Sequence, residues 1–322
     1  MSIYRSTSTD INLNRKVTDL IKFLSCLMIA LHHYSIDRVI AGTHNPIYQL
    51  LSTQGGWLGV AIFFFLSGYG LMKSELKNHI EFVPFVKKRL LKTYFPAVLV
   101  SIIWGTYLVT TGTVNNLTHF LGGVLWNFND GVLWFVRAIV CLYAFFYLYA
   151  FLRNKTIKCN CQRLLLIAIS TFSTYLLYVI RIIPYPVHAS SALLFFLGIA
   201  IAEYSEAVAL IVKKIYPLFI LFAIIITISV LWRNNANVIH WAIDYILVFA
   251  GIAFVTLYSV EVKRLPTWVG GISYDTYLVH YKAKLLLSPF FAVIPLWAFA
   301  SLTILLTIMF YYFRKCVESR IL

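Results

Sequence analysis

Continuously apolar stretches close to twenty residues long recur from one end of this chain to the other, and no soluble fold accommodates them. A helix needs about 20 mostly apolar residues to cross the hydrocarbon core of a bilayer. By that rule ten segments qualify: Val17 to Tyr34, Gly56 to Leu71, Tyr94 to Thr111, Val132 to Leu152, Leu164 to Ile182, Ser190 to Glu203, Ile215 to Trp232, Ile239 to Val260, Gly271 to Leu287 and Phe290 to Phe313. The strands of a membrane barrel would alternate with period two; these runs do not alternate, so they read as helices. The expected fold is an all-α polytopic membrane protein of about ten transmembrane helices. A single transmembrane domain would fill 1–322, with a polar N-terminal segment at 1–16 and a tail at 314–322. The first run has no small-residue cleavage site behind it and reads as a span, not a signal peptide.

Composition narrows the alternatives. Only 12% of the residues are charged and 61% are hydrophobic, against about 25% charged in a soluble domain. That excludes disorder. Five Cys, too few and odd in number, exclude a disulfide scaffold. The 27 Lys and Arg against 12 Asp and Glu give a net charge of +15, yet no basic soluble module is present to carry a nucleic acid. The cations are explained by position. With a cytoplasmic N-terminus, twenty of the 27 fall in inner segments, and only Arg38, Arg181 and Arg233 in outer ones. This positive-inside bias predicts an even number of spans with both termini in the cytoplasm.

The ionisable residues left inside the spans are the functional signal, because a charge in hydrocarbon is costly and needs a reason. The first span carries Asp19, Lys22, His32 and His33; the fourth carries Arg137, the eighth Asp244, and the ninth Asp275, His280, Lys282 and Lys284. Lys22 and His33 are eleven residues apart, which places them on one helix face about 16 Å apart along the axis. His32 lies about 100° round the helix and faces elsewhere. The bland alternatives are equally open for any one of them: Lys22 near a helix end can snorkel to the headgroups, and a histidine can sit in the interface. Repetition on several helices favours a polar cavity. In the second span, Gly59 and Gly68 fit close helix packing, but packing does not account for the aromatic run between them.

Four stretches, in order, resemble the integral-membrane acyltransferase family 3, whose members O-acylate cell-surface glycans and some small molecules. They are Asp19 and Lys22 followed ten residues later by His33; Gly59-Val60 with Phe63-Phe64, Ser67-Gly68-Tyr69; Arg89-Leu90-Leu91-Lys92 with Pro96; and Ser273-Tyr274 with Tyr277-Leu278 and His280. The chain departs from the family pattern at four places. Lys22 and Lys92 replace the commoner Arg, Ala61 stands where Asp is usual, and Arg137-Ala138-Ile139 follows Trp134-Phe135 where many members have Glu. It resembles a divergent, stand-alone member.

The resemblance implies a membrane O-acetyltransferase that takes acetyl from cytoplasmic acetyl-CoA and passes it to an extracytoplasmic polysaccharide or its lipid-linked precursor. The expected home is the cell membrane, specifically a bacterial cytoplasmic membrane, with no metal and no nucleic acid among its partners. Acyl transfer to a hydroxyl needs a base, for which His is suited. His33 is the expected base or transient acyl carrier, with Lys22 on its face. Arg137 is a candidate for oxyanion stabilisation or glycan binding and Asp244 for orienting the imidazole. Lys88, Arg89 and Lys92 are candidates for the nucleotide phosphates, though they also serve as topology signals to anionic lipid. Ser67 lacks the setting of a nucleophile elbow and reads better as a packing or hydrogen-bonding serine, and His280 either lines the cavity or bonds a neighbouring helix; both are counted among the candidate donor-binding residues. Cys159-Asn160-Cys161 is at most half a zinc site. Two rivals stand beside this reading: a transporter or flippase for a glycan precursor, and a non-catalytic partner of a glycan-assembly complex.

Overall fold

The structure, a computed structural model, describes residues 2–5, 13–113, 116–127, 131–155, 159–183, 186–215, 246, 250–251, 254, 258–262, 264–266 and 268–321. The expected seventh span and most of the eighth, Asp244 included, lie outside the described residues.

The described helices are α1 (Arg15–Ile40), α2 (Pro46–Leu50), α3 (Gly56–Lys77), α4 (Phe82–Arg89), α5 (Phe95–Thr110), α6 (Leu117–Gly122), α7 (Trp134–Lys155), α8 (Cys159–Val179), α9 (Pro186–Glu203), α10 (Ser205–Ile215), α11 (Trp268–Leu287) and α12 (Leu296–Ile321). A short antiparallel ribbon pairs β1 (Ser2–Arg5) with β2 (Tyr258–Glu261), so the expected eighth span stops before Tyr258. Among the described residues five helices are long and apolar enough to cross a membrane, and a sixth if α9 and α10, bent by 100° at Tyr204, count as one span. The helices α1 and α11, of 26 and 20 residues, are long enough but fall outside that set. They carry the histidines and lysines singled out above, and they pack against each other.

Local sequence explains the starts and stops. Asn14 caps α1 by accepting from the Val17 N–H at 2.9 Å, satisfying a donor that the first turn leaves orphaned. Asn45 caps α2 in the same way, with Pro46 at the first position, where its missing N–H costs nothing. A wide turn over Leu51–Gly55 joins α2 to α3 without a break, so the second span runs from Pro46 to Lys77, well beyond the expected Gly56 to Leu71. The last helix begins at Leu296, six residues later than expected, and continues to Ile321. One stretch that reads as a plain loop does more. After α5 the chain folds back through α6 and the turn Gly123–Asn127, and Tyr94, just before α5, donates its hydroxyl to the Leu125 carbonyl at 2.5 Å.

Two glycines set the deepest helix crossing. A Cβ at Gly68 of α3 would collide with the Phe195 carbonyl of α9, and one at Gly198 of α9 with the Phe65 carbonyl of α3. Small residues let membrane helices approach to backbone contact. Gly59 plays the same part toward α1, where a Cβ would sit 2.8 Å from the Ser25 carbonyl.

Buried charges are paired. Arg314 of α12 makes a bidentate bridge to Asp275 of α11 at 2.7 and 2.8 Å and reaches Glu318 at 2.6 Å. Glu203 accepts from Tyr149 and, at 2.5 Å, from Arg153, at the bend between α9 and α10. Glu75, at the end of α3, holds the His79 ring, the Ile80 N–H and the Asn154 amide, each at 2.9 Å. Lys282 is 4% exposed, its ammonium 4.9 Å over the Trp104 ring. Such partners are what a charge out of water requires.

Candidate active site

A single run of helix, α1, carries the polar site along its length. At its first turns it borders a cavity of about 880 Å³, within the usual range for small-molecule sites. The mouth is cationic: Arg15, Lys87, Lys88, Arg89, Lys92 and Lys315 line it, against Asp19 and Glu318. Because Arg15 opens α1 and Lys315 lies near the end of α12, α1 begins and α12 ends at this same end of the bundle. Farther in are Lys22, Ser67, Ser273 and Tyr274, facing an apolar wall of Phe63, Leu66, Phe135, Ile139 and Tyr143.

Arg89 sits with its guanidinium 5.7 Å over the Phe85 ring and 5.2 Å over that of Tyr143, a cation–π clamp. Its Nε is buried and has no hydrogen-bond partner among the described residues. A donor in that position, at a mouth of excess positive charge, suits a phosphate.

Eleven residues along α1 from Lys22, the His33 ring meets His280 of α11 at 5.3 Å and Tyr281 at 5.1 Å. His280 is fully buried. Its Nδ1 lies 2.8 Å from the Tyr277 carbonyl, which only an N–H can favour, so in the neutral ring Nδ1 holds the proton and Nε2 the lone pair. His32 is held differently: its Nδ1 bonds the Leu51 carbonyl at 3.0 Å, and its ring fills the space that a side chain at Gly56 would need. The two adjacent histidines thus divide as helix geometry predicts, one anchoring the turn before α3 and one facing α11.

Between the cavity and the histidine pair stands a layer of rings. Phe63 and Phe135 line the cavity, and Tyr277 touches both, at 6.4 and 5.7 Å; it also stacks on Tyr274 at 6.2 Å and meets His280 at 5.9 Å. Tyr277 is anchored through its hydroxyl to the Val132 carbonyl at 2.8 Å.

The sequence candidates therefore fall into groups. Lys22, Ser67, Lys88, Arg89 and Lys92 share the cavity; His33 and His280 meet beyond the ring layer. Arg137 is not among the cavity residues: Phe135, Ile139 and Tyr143 face it at i, i+4 and i+8, and Arg137 is about 200° round the helix from Phe135. Asp244 is outside the described residues. Sequence reasoning gave Tyr274 no role beyond its place in the motif; its hydroxyl donates to the Thr93 carbonyl at 2.6 Å and ties α11 to the segment bearing Lys92. The same reasoning passed over Asp37, which pairs with Lys284 of the expected ninth span at 2.8 Å. The signal was available, an acid near the end of a polar helix with a lysine near the end of another.

The motif residues each acquire a place. Phe64 is fully buried with its ring 4.7 Å from Phe135; Ser67 faces the cavity; Gly68 meets the Phe195 backbone; the Tyr69 hydroxyl accepts from the Leu13 N–H at 3.2 Å. No group of three or more metal-ligating side chains occurs among the described residues. No curated protein and no solved structure matches the chain. A family model, that of the acyltransferase domain Acyl_transf_3, matches residues 17–314, from the third residue of α1 to Arg314, which lines the cavity. Over nearly its whole length, then, the chain belongs to the acyltransferase 3 family, and it is a membrane acyltransferase.

Proposed function

We propose that the protein O-acetylates an extracytoplasmic polysaccharide or its lipid-linked precursor, using acetyl-CoA from the cytoplasm. The observation that carries this reading is the layout of α1: a cation-rimmed cavity at one end and a facing histidine pair toward the other, joined by the helix face that bears Lys22. The Lys and Arg bias of the loops puts the cationic end inside, where acetyl-CoA is found. Lys88, Arg89 and Lys92 take its phosphates. The arm of the donor runs past Lys22 and Ser67, and the acyl end passes the Phe63–Phe135 layer to reach His33.

His33 accepts the proton of the acceptor hydroxyl as its oxygen attacks the thioester carbonyl. The tetrahedral intermediate collapses by breaking the C–S bond, and the thiolate leaves as CoA–SH with the proton that His33 returns. One proton moves twice, a cycle suited to an imidazole. The products are the O-acetyl ester and CoA, released on opposite sides of the membrane. On this account only the acetyl group crosses the membrane.

The phosphate assignment makes a graded prediction. Charged hydrogen bonds contribute about 1.5–3 kcal/mol each, so Arg89→Gln raises KM for acetyl-CoA roughly 10- to 100-fold, while kcat changes by less than about threefold. The assay is transfer of label from acetyl-CoA to glycan by membrane vesicles carrying the protein. A fall in kcat at unchanged KM would move Arg89 out of donor binding. Uptake of labelled glycan precursor with no label transferred would favour a transporter.

A further inference from the structure

We propose that Lys284 is a positioning residue for His33, clasping α1 to α11 at the level of the histidine pair; the inference rests on the reading of His33 as the base. Among the described residues no hydrogen bond holds the His33 imidazole itself. It is placed by ring contacts to His32, His280 and Tyr281 and by its own backbone. The backbone is where Lys284 acts. Its ammonium donates to the His33 carbonyl at 3.2 Å and pairs with Asp37, one turn farther along α1, at 2.8 Å. The same ammonium lies 5.3 Å over the Tyr281 ring, which in turn abuts His33 at 5.1 Å. His280 is one turn before Lys284 on α11. One side chain thus touches the backbone of the base, the next turn of its helix and one of the three rings against it. The Lys284 side chain is 14% exposed and that of Asp37 36%, so the ammonium is shielded while its carboxylate partner is open to solvent, and the clasp rests on the contacts of the lysine taken together.

The carboxylate nearest along α1, Asp37, is committed to Lys284. A base whose ring has no orienting hydrogen bond among the described residues depends on the register of its helix, and misplacement by about 1 Å can cost about 100-fold in rate. Lys284→Met is therefore expected to lower kcat about 10- to 100-fold and to leave KM for acetyl-CoA within about threefold, because the donor's charges bind at the far end of α1. Lys284→Arg, which can still pair with Asp37, retains most of the rate. The exchange Asp37→Lys with Lys284→Asp recovers part of what Asp37→Lys alone loses.

The measurement is steady-state transfer by purified protein in vesicles, normalised to the folded fraction from gel filtration, with His33→Ala assayed alongside. A wild-type kcat in Lys284→Met, or an exchange variant no better than the single, overturns the positioning role. If His33→Ala is inactive while Lys284→Met runs at full rate, only this proposal falls. If His33→Ala is itself active, the reading of the base falls.

Discussion

His33→Ala is expected to lower kcat for acetyl transfer by about 100- to 10,000-fold, the range for loss of a general base, with the protein present in the membrane at its normal level. The His33 ring is only partly buried and makes no side-chain hydrogen bond among the described residues, so its truncation is expected to leave the bundle standing. The neighbouring residue supplies the control. His32 bonds the Leu51 carbonyl and packs on Gly56; His32→Ala frees that turn and reduces the yield of folded protein, while each folded molecule keeps its rate to within about threefold, since no bond to the reacting atoms is lost. Two adjacent histidines with opposite phenotypes would be hard to produce from any arrangement other than one facing α11 and one facing α3. Equal losses of rate in both variants would mean that the division between them is wrong.

The second large effect falls on stability. Gly68→Ala places a methyl group against the Phe195 carbonyl, where backbone stands and no side chain can swing away. Helix propensity alone favours Ala over Gly by about 0.8–1.0 kcal/mol, so intrinsic preference and packing oppose each other. Overpacking typically costs about 1–3 kcal/mol, and a backbone-to-backbone crossing sits at the upper end. The net expectation is a lower melting temperature and a depleted monodisperse peak in detergent. Gly70, two residues along the same helix, has open space where its Cβ would be, so Gly70→Ala is neutral or stabilising. A Gly68→Ala protein as stable as Gly70→Ala would show that α3 and α9 are not held at backbone contact.

These contrasts show which parts of the molecule can be read from residues. Apolar run length locates most of the described helices, because the bilayer imposes a fixed length on whatever spans it. It misjudges ends where a polar helix continues beyond the hydrocarbon: α3 extends to Lys77 and α12 to Ile321. The face shared by Lys22 and His33 follows from helical period alone, and so does the outward turn of His32. Pairings between distant residues do not. Nothing local to Asp275 says that Arg314 will neutralise it, or to Lys284 that Asp37 will.

That difference matters for interpreting buried charge. Asp275, Lys282 and Lys284 all looked like functional candidates by the rule that an intramembrane charge needs a reason. In the structure their reasons are neighbours: a bidentate guanidinium, an indole face, a carboxylate. Lys22 differs, facing the cavity beside Ser67. The apolar departures are also clearer in three dimensions. Ile139 is on the cavity wall, while Ala61 is fully buried in the core, so of the two only Ile139 is in a position to touch a ligand in the cavity.

The central claim is that this bundle moves an acetyl group from a cytoplasmic donor to a surface glycan through His33. The measurement that bears on it most directly is NMR of O-acetyl signals in surface glycans from cells carrying the wild-type protein, no protein, or His33→Ala at matched membrane levels. The account predicts O-acetyl resonances in the first sample and their loss in the other two. Wild-type resonances in the His33→Ala sample would contradict it.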